Sequence, residues 1–160
     1  MEEKQILSTI NLYDSVEELP EEIQILMKNA VEARANAYAP YSKFKVGAAL
    51  ILENGNIVKG NNQENASYPS GLCAERTAIY AAGANFPEQY IKAMAITAAS
   101  AKHKLTEPIP PCGACRQAIA EYEQKQNKPI EIYFMGSEGK VAHVQALLDL
   151  LPLAFDKKFL

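Results

Sequence analysis

The sequence predicts a three-layer α/β/α domain built on one mixed sheet of five strands. Segments with helical and strand character follow one another in the order α-β-β-α-β-α-β-β-α. Strands that alternate with helices favour parallel neighbours and helices on both faces of the sheet. The dipeptide Asn54-Gly55 between two apolar segments is a strong signal for a β-hairpin, which adds an antiparallel pair to this sheet.

The first helix and the hairpin come first along the chain. Apolar residues recur at helical spacing from Ile23 to Val31, and Pro40 stops this helix. Residues 44–52 and 56–60 are the strands predicted on either side of the Asn-Gly turn.

The remaining elements alternate between helix and strand. They are an alanine-rich helix that begins near Cys73, a buried strand over residues 91–98, a helix over residues 113–126, strands over residues 130–136 and 140–145, and a short final helix over residues 146–152. Pro129 separates the third helix from the strand that follows it.

Composition and charge restrict the class of protein. The chain has 160 residues, of which 48% are apolar and 22% are charged, as is typical of one soluble globular domain. A net charge of −3 without a long basic run disfavours nucleic acid as a partner. No apolar run approaches the length of a membrane span, and the acidic N-terminus does not resemble a signal peptide, so we expect a cytoplasmic protein without membrane contact. We expect residues 1–20 to be an N-terminal extension and residues 21–160 to be a single catalytic domain.

Cys73, Cys112 and Cys115 are the only cysteines, and an odd number in such a chain disfavours a disulfide framework. Cys73 and Cys112 each stand at the start of a predicted helix, after a loop rich in proline or glycine. Cys115 follows Cys112 on the same face of the first helical turn. Each of the two helices follows a strand and a loop, so both helix N-termini should emerge at the same edge of the sheet, where the three sulfur atoms could meet. Helix N-termini also favour thiolates.

Three thiolates suit a tetrahedral zinc ion that keeps a fourth position open, which is typical of a catalytic site. His103 and His143 are the only histidines, and neither has ligand spacing to a cysteine. His103 is a minor candidate for a fourth ligand, and we expect His143 to be a surface or half-buried strand residue. The alternatives are a thioredoxin-like redox pair at Cys112 and Cys115, which leaves Cys73 without a role, and cysteines that only pack in the core.

Two short motifs carry a family resemblance. The motif CAE at residues 73–75 and the motif PCGAC at residues 111–115 resemble the signature of the zinc-dependent nucleoside and nucleobase deaminases. The segments APYSKFKVGAAL, GNNQENASY, CAERTAI, PCGACRQ and LLPLAF, which span most of the chain from Tyr38 to Phe155, are similar to the small cytidine deaminases. The resemblance implies hydrolytic deamination of cytidine and deoxycytidine, a reaction of pyrimidine salvage, by a homotetramer with one Zn²⁺ per subunit.

The resemblance also implies the roles of residues near the metal. The zinc ligands would be Cys73, Cys112 and Cys115. Glu75 would move protons between water and substrate, although a first-turn glutamate can also be a solvated partner of the helix dipole. Arg76 and Gln117 would support the thiolates by hydrogen bonding, and the alternative for Gln117 is an exposed helix residue.

Further residues would contact the nucleoside. Asn62 and Glu64, two apart on an extended segment, would hold the ribose 3′-hydroxyl. Phe44 would stack near the base, or else be a core aromatic residue, and the backbone of Ala74 would contact the base. The residues that would reach into the pocket of a neighbouring subunit are Ala66, Tyr68 and Phe155.

Other functions share parts of this pattern. Deaminases of nucleoside analogues such as blasticidin S have the same zinc core, and a non-catalytic zinc-stabilised module is a second alternative. Asn62 and Glu64 disfavour a free nucleobase as substrate, and no set of phosphate ligands indicates a deoxycytidylate deaminase. Unusual residues at positions 69–72 could alter the range of substrates.

Overall fold

The computed structural model describes residues 1–160 and contains a sheet of six strands. The strands are β1 (Asn11–Tyr13), β2 (Phe44–Leu52), β3 (Ile57–Asn61), β4 (Ile91–Ser100), β5 (Glu131–Met135) and β6 (Val141–Val144). The helices are α1 (Glu21–Ala35), α2 (Ala74–Asn85) and α3 (Gly113–Gln126). None of the helices is long and apolar enough to cross a membrane.

The strands lie in the order β1-β6-β5-β4-β2-β3. Only β4 and β5 run parallel, and every other neighbouring pair is antiparallel. The prediction of a mixed sheet in an α/β/α domain is confirmed, with six strands where five were expected. The additional strand is β1, which pairs with β6 so that Leu12 lies opposite Ala142. Its three residues are too few to show the alternation that predicts a strand.

Two apolar layers cover the faces of the sheet. Successive strand residues point to opposite faces, so that Leu50 of β2 lies in the layer under α2 and α3, whereas Ala49 and Ile51 lie in the layer under α1. Ile79 of α2 and Ile119 of α3 are fully buried in the first layer. Because both faces are covered, the internal strand β2 is an almost continuous apolar run.

Gly60 of β3 allows a close approach between this strand and α2. A Cβ atom at this position would lie 2.5 Å from both the carbonyl oxygen of Ala74 and the amide nitrogen of Ala78. Ala74 directly follows Cys73, so the contact with β3 sets the depth of the start of α2 relative to the sheet.

The C-terminal part of the chain differs from the prediction in two places. The helix predicted over residues 146–152 is only a 3-10 turn at Leu147–Asp149, followed by Pro152, which cannot continue a helix. His143 is buried rather than half-buried or at the surface, with 5% of its surface exposed. The added strand β1 makes β6 an internal strand, and the His143 ring stacks on Tyr133 with 4.2 Å between ring centroids.

Candidate metal centre and substrate groove

The three cysteines meet where α2 and α3 begin. Cys73 and Cys112 are the N-cap residues of these helices, and Cys115 is buried in the first turn of α3. The Sγ atom of Cys112 lies 3.9 Å from that of Cys73 and 3.5 Å from that of Cys115. All three sulfur atoms lie within 4.8 Å of one another, and no histidine belongs to the group.

This arrangement of donor atoms fits a zinc ion. Zn–S bonds of about 2.3 Å in a tetrahedron place the sulfur atoms roughly 3.8 Å apart, which matches the observed separations. The thiols of Cys73 and Cys112 do not cap their helices, so they remain available as ligands. Hydrogen bonds from Cys115 and Arg76 lower the pKa of Cys73 to about 5, which favours its thiolate form. The hydrogen bond with Cys73 and burial raise the pKa of Cys115, so Cys115 would have to release a proton when a metal binds.

Two charged residues of the first turn of α2 lie beside the sulfur atoms. The Glu75 side chain is buried, with 5% of the residue exposed, and burial raises the pKa of its carboxyl group. Arg76 Nη2 donates to the Cys73 Sγ atom at 3.7 Å, while its Nε is buried without a hydrogen-bond partner. The guanidinium group therefore places a positive charge beside the sulfur cluster.

The third helix holds the C-terminal segment near this centre. Gln117 Nε2 donates to the carbonyl oxygen of Phe155 at 2.9 Å, and no hydrogen bond joins it to a sulfur atom. Arg116 donates from Nε to the carbonyl oxygen of Pro111 at 2.8 Å and from Nη1 to that of Leu150 at 2.8 Å. The loop that leads to Cys112 is thus tied to the turn after β6.

A groove of about 500 Å³ extends from Cys73 and Arg76 across the surface. Of the residues predicted to bind substrate, Asn62, Glu64 and Tyr68 line it. Tyr41 also lines the groove, and its ring centroid lies 6.3 Å from that of Tyr68. The metal centre and the polar residues expected to bind ribose therefore belong to one continuous surface.

Asn62 and Glu64 are both tied to the segment that leads into β2. Asn62 Oδ1 accepts from the amide of Val46 at 2.8 Å, and Asn62 Nδ2 donates to the carbonyl oxygen of Phe44 at 2.9 Å. Glu64 Oε2 accepts from the amide of Tyr41 at 2.9 Å. These contacts leave Asn62 one amide hydrogen to donate, and they hold the Glu64 carboxylate in a fixed orientation.

The other predicted substrate residues lie outside the lining of this groove. Phe44 is half-buried at the first position of β2, and Ala74 is buried at the first position of α2. Ala66 is exposed in the loop after β3. Phe155 is exposed and lines a separate depression formed by the C-terminal segment. A single chain does not bring Ala66 or Phe155 to the groove.

Ser42 also lines the groove and was not among the residues predicted from the sequence. Its hydroxyl group accepts from the amide of Phe44 at 2.9 Å and donates to the Glu64 carboxylate. A serine side chain in a turn often forms a hydrogen bond with the backbone two residues further along. The place of Ser42 in the Pro40-Tyr41-Ser42 turn could therefore have predicted the contact with the amide of Phe44. The contact with Glu64 joins residues 22 positions apart and had no local signal.

Comparison with known proteins identifies the family. Residues 20–128 match the profile described as the cytidine and deoxycytidylate deaminase zinc-binding region. The chain belongs to this family. The match includes all three cysteines and Glu75.

Individual members of this family are similar to this protein over most of its chain. A cytidine deaminase of Halalkalibacterium halodurans is 41% identical over 82% of this chain and 92% of its own length. A cytidine deaminase of Sporosarcina psychrophila is 40% identical over 86% of this chain and 93% of its own length. The crystal structure of cytidine deaminase from Burkholderia pseudomallei has a TM-score of 0.71 and 41% identity, and covers 82% of this chain and 97% of that one. The predicted family, fold, enzyme class and zinc cofactor are thereby confirmed.

Proposed function

We propose that this chain hydrolyses cytidine and deoxycytidine to uridine and deoxyuridine with release of ammonia. The observation that carries the proposal is a buried carboxylate, Glu75, beside a three-sulfur centre from which a polar groove extends. The relatives named as cytidine deaminases support this choice of substrate. The three free cysteines support a reducing compartment such as the cytoplasm.

Cys73, Cys112 and Cys115 would hold the zinc ion and leave one coordination position open. When bound, zinc supplies a Lewis acid that lowers the pKa of water toward neutrality. Three thiolates carry more charge than one divalent cation neutralises. The remaining negative charge opposes the loss of a proton from the attacking water. Arg76 and the N-termini of α2 and α3 offset part of it, because each presents positive charge or N–H groups to the sulfur atoms.

Glu75 would act as the general base and then as the general acid. Its carboxylate takes a proton from the attacking water and delivers it to the ring nitrogen next to the amine-bearing carbon. It then takes the second proton, from the hydroxyl group now on that carbon, and delivers it to the exocyclic amine, which leaves as ammonia as the carbon–oxygen double bond forms. Burial of Glu75 raises its pKa, and this helps the carboxyl group to hold a proton between the two transfers.

The groove would select nucleosides over free bases. Asn62 has a free amide hydrogen to donate, and Glu64 is an acceptor, so together they suit a hydroxyl group that both accepts and donates. We assign the ribose 3′-hydroxyl to this pair, the base to the backbone of Ala74, and stacking near the base to Phe44.

The experiment that tests this function is the loss of cytidine absorbance with time, measured for the wild type and Glu75→Gln. We expect the variant to lose roughly 10²- to 10⁴-fold in kcat because it cannot transfer protons. Its zinc content and Tm should match those of the wild type. Glu121→Gln, an exposed change on α3, is the matched control and should keep full activity. A fully active Glu75→Gln variant would contradict the mechanism, and a zinc-bound wild type without turnover would contradict the function.

We further propose a homotetramer in which neighbouring subunits complete each groove. Tyr68 at the groove is 77% exposed and Phe155 in the C-terminal segment is 58% exposed. Large exposed aromatic side chains of this kind are suited to burial between subunits. Light scattering should give four times the 17.6 kDa of one chain, and Phe155→Ala should raise KM. A fully active monomer would refute shared sites.

A further inference from the structure

We propose that Ser42 is a positioning residue that orients Glu64 and thereby sets the preference for nucleosides carrying a 3′-hydroxyl group. This inference rests on the proposed function, since it concerns how the same groove recognises ribose. It assigns a task to a residue that does not itself need to touch the substrate.

The contacts around the Glu64 carboxylate use three of its acceptor positions. Glu64 Oε2 accepts from the amides of Tyr41 at 2.9 Å and of Ser42 at 3.3 Å. Glu64 Oε1 accepts from the Ser42 hydroxyl group. An ionised carboxylate has about four lone-pair positions, so one on Oε1 remains available to a ligand.

The direction of the Ser42 hydroxyl bond is decided by the backbone. The amide of Phe44 lies 2.9 Å from Ser42 Oγ and can only donate, so the oxygen atom accepts there. The single hydroxyl proton then goes to Glu64 Oε1, which lies much nearer than the other acceptor in reach, the carbonyl oxygen of Phe44 at 3.5 Å. Hydrogen bonding from Ser42 holds the pKa of Glu64 below its ordinary value, which keeps the carboxylate ionised and able only to accept.

The open position on Glu64 therefore requires a donor from the substrate. Asn62, two residues earlier on the same segment, lines the same groove and has an amide hydrogen left to donate. A hydroxyl group satisfies both residues, whereas a hydrogen atom in its place leaves the open position on Glu64 and the second amide hydrogen of Asn62 without a partner. Loss of a partner at a charged group is costly, which is the basis of the discrimination.

The turn that presents Ser42 is preformed by the backbone. Lys43 has a φ of 59°, in the left-handed region, and the amides of the two residues before it, Tyr41 and Ser42, both donate to Glu64. The Lys43 amide donates to the carbonyl oxygen of Ala39 at 3.2 Å, and the Lys43 carbonyl accepts from the amide of Ala101 at 3.1 Å. The carboxylate is thus held before any substrate arrives, and the hydroxyl group of Ser42 is the one side-chain contact in that arrangement.

The test compares 2′-deoxycytidine with 2′,3′-dideoxycytidine, which differ only in the 3′-hydroxyl group. For the wild type we expect a higher kcat/KM with 2′-deoxycytidine. Ser42→Ala should reduce this ratio about tenfold, mainly by raising KM for 2′-deoxycytidine, because Glu64 is no longer held by a charge-assisted hydrogen bond. The kcat for 2′,3′-dideoxycytidine should not change. Ser42→Thr, which retains a hydroxyl group, should restore the ratio.

Ser100→Ala is the matched control. Ser100 Oγ also accepts from the amide two residues further along, that of Lys102 at 3.1 Å, and Ser100 lies opposite Phe44 in the sheet without contacting a carboxylate. This variant should keep the wild-type ratio, and Ser42→Ala should keep the wild-type zinc content and Tm.

Three results would overturn the proposal in distinguishable ways. A Ser42→Ala variant that keeps the full preference for the 3′-hydroxyl group would refute the role of Ser42 alone. A wild type that processes both nucleosides equally well would refute the assignment of the 3′-hydroxyl to Asn62 and Glu64. A wild type without turnover of any cytosine nucleoside would refute the proposed function, and the proposal with it.

Discussion

At the scale of single residues, the position of Cys73 and Cys112 as N-cap residues explains how a small chain holds three thiolates together. An N-cap residue has extended backbone geometry, and its side chain lies next to free amide groups. Serine or aspartate at this position would cap the helix by accepting a hydrogen bond from a backbone amide of the first turn, whereas cysteine leaves its sulfur atom available to a metal. The partial positive charge at the helix N-terminus also stabilises a thiolate at this position.

Tyr133 illustrates a different use of a buried polar group and permits a prediction about pH. Its hydroxyl group donates to Glu131 Oε2 at 2.7 Å. Burial is the main reason that the pKa of the phenol is raised, and this hydrogen bond raises it further. A raised pKa in the folded state means that the stabilisation is present below the ordinary value of about 10 and is lost as pH rises above it. The wild type should therefore lose more free energy of unfolding between about pH 8 and pH 11 than Tyr133→Phe does.

Urea denaturation of both proteins at the two pH values measures this difference. The cysteines and the remaining tyrosines are common to the two proteins, so their titration cancels in the comparison. Equal losses in both proteins would show that Tyr133 titrates normally in the folded state.

At the scale of elements, the contact between β3 and α2 positions the metal centre. Gly60→Ala should place a methyl group against the backbone of Ala74 and Ala78, which cannot move aside as a flexible side chain could. We expect a loss of about 1–3 kcal/mol in the free energy of unfolding and weaker zinc binding, because the start of α2 carries Cys73. Thermal unfolding and zinc titration measure the two effects.

Gly113→Ala is the matched control for this change. Gly113 is the first residue of α3, and a Cβ atom there meets no other atom within 4 Å. This variant should be as stable as the wild type or more stable, since alanine is the better helix former. If Gly60→Ala behaved in the same way, the close approach of β3 and α2 would not constrain the site.

At the scale of the whole molecule, the metal centre links parts of the chain that are distant in sequence. Cys73 and Cys112 are 39 positions apart, and zinc would join the two helices that they begin. Because metal binds the folded chain far better than the unfolded one, its binding adds to stability. Removal of zinc with a chelator should lower Tm by several degrees and abolish activity, and added zinc should restore both.

Cys112→Ala serves as the control for the effect of the chelator. This variant has lost a ligand, so its Tm should already be low and should not respond to the chelator. A Tm of the wild type that is unaffected by complete zinc removal would show that the metal does not stabilise the fold.

The sequence by itself determined those features that depend on neighbours along the chain. The bounds predicted for β2 and α3 agree with the structure, because hydrophobic pattern and turn residues act over a few positions. The three metal ligands were also predicted, since Cys73 and Cys112 stand at helix starts that proline and glycine residues mark and Cys115 follows one turn after Cys112. The roles of Glu75, Asn62 and Glu64 remain predictions that the experiments above test.

Only the tertiary structure decided the contacts between distant segments. The pairing of β1 with β6 brings Asn11 within 3.4 Å of His143, 132 positions away, and so buries a histidine that the local pattern placed nearer the surface. In the same way, Ser42 meets Glu64 only because the turn before β2 folds back over the loop after β3. Local periodicity carries no information about which strand edge or loop a segment will meet, because that choice depends on how the layers pack as a whole.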